Sequence, residues 1–92
     1  MVFKSRIMTK GFEVRKFMTV DMGLSGNNLV VYAFLWSETD NGEKRYTDGY
    51  TRISEAAGVS VPTVYNVLGK LKERGVIRYD DLRDGIEIVK QN

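Results

Sequence analysis

The side chains that most often carry catalysis are missing from this chain of 92 residues, which holds no histidine and no cysteine. That removes the commonest general base, the commonest metal ligand and the thiolate nucleophile together. Neither a Ser-His-Asp nor a Cys-His site can be built, and there is no disulfide framework. The carboxylates do not make up the loss. Asp80, Asp81, Asp84 and Glu87 lie close in sequence, but on a stretch that reads as a hairpin with no evident pocket. Asp40 and Glu43 flank Asn41-Gly42 without the ligand spacing or closing glutamate of a calcium loop. Gly23-Leu24-Ser25-Gly26-Asn27 has spaced glycines but lacks the following lysine and hydroxyl of a phosphate loop. The reading is therefore not an enzyme, with no cofactor, no metal and no evident small-molecule ligand. What remains is hydrogen bonding and charge. Ser60, Thr63, Tyr65, Asn66 and Lys70 crowd one short stretch, and Lys4, Arg6, Lys10, Arg15 and Lys16 face Glu13 alone in the first sixteen residues. The net charge of +2 and pI near 9.0 permit a nucleic-acid partner without demanding one.

Positioning the first group falls to the stretch Ile53 to Gly75, which reads as two helices joined by a tight turn. Ile53, Ala56 and Ala57 share one apolar face of a helix from about Arg52 to Ala57, with Thr51 as its cap. Gly58 takes the positive φ that ends it. Ser60 is the N-cap of the second helix, its hydroxyl accepting from the Thr63 N–H. Pro62 costs nothing in a first turn, where its missing N–H would be unpaired anyway. Val64, Val67, Leu68 and Leu71 recur at i, i+3, i+4 and i+7 and form the buried stripe. Ser60, Val61, Thr63, Tyr65, Asn66, Gly69 and Lys70 fall outside that stripe.

The rest of the chain must supply the support. At this length one domain is expected, over residues 1–92, near the lower end for a self-sufficient core. Residues 1–20 alternate imperfectly and read as an extended arm or a hairpin turned at Thr9-Lys10-Gly11. They contain neither a long apolar run nor a small-residue cleavage site, so no signal peptide or membrane span is read, and a bacterial-type cytoplasm is expected. A three-helix core fills residues 25–75. Its first helix, capped by Ser25, runs from about Gly26 to Glu38 and carries the apolar run from Leu29 to Trp36. Being apolar nearly all round, it must be covered on more than one side, by the other helices and the N-terminal arm or by a dimer partner. Asn41-Gly42 marks a turn, and Tyr46-Thr47 a short strand. Val76 to Tyr79 and Ile86 to Val89 are β-rich runs joined through Asp84-Gly85, a hairpin over residues 76–90. The class is α+β.

A short helix, a glycine turn and a capped second helix resemble the helix-turn-helix. With a hairpin directly after it, the chain is similar to the winged-helix family over about Phe17 to Val89. More narrowly, "KFMTVDMGLSGNNLVVYAFLW", a turn-rich loop and then "ISEAAGVSVPTVYNVLGKLKERGVI" resemble the N-terminal domains of phage and plasmid replication initiators, and small bacterial transcription regulators. The resemblance implies double-stranded DNA as partner, with the N-terminal half of the second helix in the major groove. It implies that Asn66 pairs with N6 and N7 of adenine and that Thr63 reaches a base edge or a phosphate. Ser60, Tyr65 and Lys70 would be further groove or backbone contacts. Thr51 and Arg52 would meet a phosphate at the start of their helix. Arg83 would be the wing tip, and Lys4 and Arg6 phosphate contacts from the arm. Two departures are visible. Val61-Pro62 stands where basic or hydroxyl residues are common, and Asp80, Asp81 and Asp84 would repel phosphates. They frame the alternative, a protein-interaction module that docks through Val61, Pro62, Tyr65 and the acidic hairpin.

Overall fold

The computed structural model describes residues 12–90. The arm's proposed turn at Thr9-Lys10-Gly11, with Lys4 and Arg6, lies outside them. The chain folds as a small α+β unit of four helices and a two-stranded antiparallel hairpin. In order these are α1 (Lys16–Val20), α2 (Gly26–Glu38), α3 (Tyr50–Ala57), α4 (Val61–Glu73), β1 (Ile77–Arg78) and β2 (Glu87–Ile88), with a 3₁₀ turn at Leu82–Asp84. No helix among the described residues is long and apolar enough to cross a membrane.

The extended arm expected as far as residue 20 stops at Arg15, because α1 is a helix. In a strand Phe17 and Met18 would point to opposite faces. Here both turn inward. Met18 is fully buried, and the Phe17 ring meets Trp36 edge-on at 5.0 Å. Val20 is left outside, 66% exposed. The core therefore has four helices rather than three.

Helix α2 is the hub. Five consecutive residues, Val31 to Leu35, are buried. Their cover comes from this one chain: α1, α3 and α4 all pack on α2, and the Phe12 ring meets Phe34 edge-on at 5.7 Å. Ser25 holds the N-cap position through its backbone, the Leu29 N–H donating to its carbonyl at 3.3 Å; its side chain makes no cap bond. Thr39 ends the helix as a buried residue whose Oγ1 donates to the Leu35 carbonyl at 2.7 Å and accepts from the Gly42 N–H at 3.1 Å. The Asn41-Gly42 turn follows, left-handed at both residues.

The start of α3 differs from expectation. Gly49, with φ of 89°, occupies the cap position, and Thr51 is the second residue inside the helix. Tyr46 fixes this corner by donating its hydroxyl to the Gly49 carbonyl at 2.6 Å. The end of α3 follows the sequence reading: Gly58 is left-handed at φ 72°, where a Cβ would be strained. The stripe of α4 is buried throughout, with Val64, Leu68 and Leu71 at 0% exposure and Val67 at 5%.

The chain leaves α4 at Arg74-Gly75 and runs into the hairpin, paired Ile77 with Ile88 and Arg78 with Glu87. The paired core is two residues a strand, shorter than the runs in the sequence. Tyr46 extends it by one bridge to Ile86, in place of the short strand expected at Tyr46-Thr47. Gly85 is required at that crossing, since a Cβ there would lie 3.1 Å from the Tyr46 carbonyl oxygen.

Candidate functional site

The outward face of α4 is organised by its cap. The Thr63 N–H donates to Ser60 Oγ at 3.3 Å, and that oxygen lies 3.0 Å from Thr63 Oγ1. The two hydroxyls are thus held together at the N-terminus of the helix, and each keeps lone-pair capacity for a ligand. Asn66 and Lys70 follow at one-turn intervals from Thr63 and are exposed. Four of the expected site residues share this surface: Ser60, Thr63, Asn66 and Lys70.

Tyr65 stands on the flank toward the hairpin. It is 48% exposed, and its ring meets Tyr50 at 4.7 Å between centroids. Tyr50, the first residue of α3, was not singled out by the sequence, because the two rings come together only when α3 crosses α4. Burial, followed by the neighbouring Tyr65 and Asp81, lifts the Tyr50 phenol above its ordinary range. Lys72 shares the Tyr65 flank, two turns on, and holds its Nζ 4.4 Å from the centre of the Tyr79 ring. The i, i+7 spacing puts Tyr65 and Lys72 on one flank, but the contact with Tyr79 depends on how the chain folds back after α4 and has no local sign in the sequence.

Two expected cations are engaged elsewhere. Arg52 donates to Glu38 Oε1 at 2.7 Å and lies 3.8 Å from Asp48 Oδ2, with its guanidinium beside the Phe34 ring. Thr51, its neighbour, is exposed on the first turn of α3. Arg83 forms a fork with Asp81: Nη2 to Oδ2 at 2.9 Å and Nε to Oδ1 at 3.3 Å, with its backbone N–H on Oδ1 at 2.9 Å. That fork holds the Asp81 carboxyl below the usual carboxylate range. Lys4 and Arg6 lie outside the described residues. Two more arginines are also paired, since Arg78 of the hairpin and Arg45, in the segment before α3, both reach Glu87.

A cleft of about 360 Å³ opens between residues 12–15 and the C-terminal end of α2, lined by Phe12, Trp36, Glu13, Arg15, Asp40 and Asn41 among others. None of the expected site residues lines it. Comparison with known protein families, with curated proteins and with solved structures finds no match for this chain.

Proposed function

We propose that the chain is a winged helix that binds double-stranded DNA, with α4 as recognition helix and the β1–β2 hairpin as wing. The reading rests on the surface of α4, where Ser60, Thr63, Asn66 and Lys70 lie outside the buried stripe of one capped helix. That helix follows a left-handed glycine turn and leads directly into a hairpin. A planar amide can donate and accept at once, which suits the adenine edge, while Lys70 supplies salt-dependent attraction to phosphates. The role is transcription control or replication initiation. A protein-docking module is the second reading, favoured by the Asp81–Arg83 fork and by the exposed Tyr65 ring on α4.

Selecting duplexes from a random library and titrating the winner tests the proposal. Asn66→Ala should weaken the selected site by about 1–3 kcal/mol and leave random duplex nearly unchanged. If the parent enriches no sequence and binds no duplex at low salt, the docking reading takes its place.

A further inference from the structure

Gly69 sits in the interior of α4, where glycine costs about 1 kcal/mol relative to alanine. Nothing among the described residues accounts for it. Gly69 is not among the positive-φ glycines, and a Cβ placed there meets no atom within 4 Å. The gap is open space on the surface of the helix. Residues 65, 69 and 72 share one flank at i, i+4 and i+7, so the gap lies between the Tyr65 ring and the stem of Lys72. Tyr65 is 48% exposed and is braced by Tyr50. Lys72 is exposed over the Tyr79 ring, free to swing toward an anion. The exposed acid of the same turn, Glu73, lies at i+4 from Gly69 and borders the gap on the side away from Lys72. The nearby Asp81 is already neutralised by Arg83.

A braced aromatic ring, a bare strip of backbone and a cation beyond it match a flat base joined to a phosphate. Any base can stack on tyrosine, a cation meets the phosphate, and a glycine lets the sugar approach. We infer that this flank of α4 seats an unpaired base, so that the preferred ligand is a duplex carrying a single-stranded segment. The inference rests on the DNA-binding reading above and names its substrate class. A peptide with an acidic side chain would compete for the same surface, but the paired aromatic rings and the cation favour the nucleotide.

The test uses three DNAs: a blunt duplex, the same duplex with a short thymine tail, and the same duplex with an abasic tail of equal length. Fluorescence anisotropy measures the affinity of the parent, Tyr65→Leu, Tyr65→Phe and Gly69→Ala for each. The parent should prefer the thymine tail over both others by roughly five- to hundredfold, the range of one stacked base. Tyr65→Phe should keep that preference, and Tyr65→Leu should lose it, so that its affinities for the thymine-tailed, abasic-tailed and blunt DNAs become equal. Gly69→Ala should unfold at a higher temperature, because alanine favours the helix and the space is open, and yet lose preference for the tail. Equal binding of thymine-tailed and abasic DNA would overturn the inference, as would a tail preference untouched by Tyr65→Leu and Gly69→Ala. In those cases blunt-duplex binding persists and the DNA reading stands. Failure to bind any of the three DNAs overturns both.

Discussion

Arg83 is a cation that its own neighbour has claimed. Two side-chain contacts and a backbone N–H tie it to Asp81, so the hairpin loop presents a closed pair where the sequence offered an arginine. Arg52 is in the same position between Glu38 and Asp48. The family resemblance marked Arg52 as a phosphate contact and Arg83 as the wing tip; whether a carboxylate lies within reach depends on loop geometry, which side-chain spacing does not reveal. The consequence is measurable. Asp80→Asn with Asp81→Asn removes two negative charges and frees the Arg83 guanidinium, so binding to a random duplex should tighten. The gain should be greatest at low salt, where exposed charges are least screened. Titration curves of parent and double variant that overlie at low salt would place this loop away from DNA. Asn66, Ser60 and Thr63 were legible because capping and helical periodicity are local properties. The Tyr50–Tyr65 ring pair was not, because fifteen residues and a helix crossing separate its members.

At the scale of elements, α4 is where sequence and structure agree most closely. A serine cap, a proline in the first turn and a four-residue apolar stripe are each decided within one or two turns, and the helix runs from Val61 to Glu73 under the Ser60 cap. Helix α1 shows the opposite case. Five residues are too few for a helix to be stable by itself, and α1 exists because it turns Phe17 and Met18 onto α2 together. No pattern within those five residues could announce that. The start of α3 moved to Gly49 for a similar reason, a long-range corner held by Tyr46. The buried stripe gives the element its stability. Leu68→Ala should cost about 2–5 kcal/mol, since Leu68 is fully buried and its neighbours are held by three helices. Thermal unfolding of that variant measures the loss, and a melting temperature equal to the parent's would contradict the packing of α4.

For the whole molecule, the central fact is that a helix apolar all round is covered within one small chain. Its stability reserve is correspondingly small, of the order of 5–15 kcal/mol for domains of this kind. Two phenols inside it respond to alkali. Burial pushes Tyr32 up to about 12, and burial followed by the charge of Asp48 does the same for Tyr46. Both folded values exceed the ordinary value of about 10. Their contribution is therefore fully present below about pH 10 and is lost as pH rises toward 12. Denaturant unfolding measured across that window should show the loss. Tyr32→Phe should reduce it without weakening the neutral protein, since the Tyr32 hydroxyl has no hydrogen-bond partner among the described residues. A neutral-pH loss of stability in that variant would mean the hydroxyl is satisfied after all. In the proposed mode of binding, one face, α4 with the hairpin loop, meets DNA. The most direct test is a nuclear magnetic resonance titration of the isotope-labelled protein with a short duplex. Shifts should concentrate on Ser60, Thr63, Tyr65, Asn66 and Lys70, with Trp36 and Asn41, in the cleft at the C-terminal end of α2, unmoved. Shifts centred on Trp36 and Asn41, with α4 silent, would contradict it.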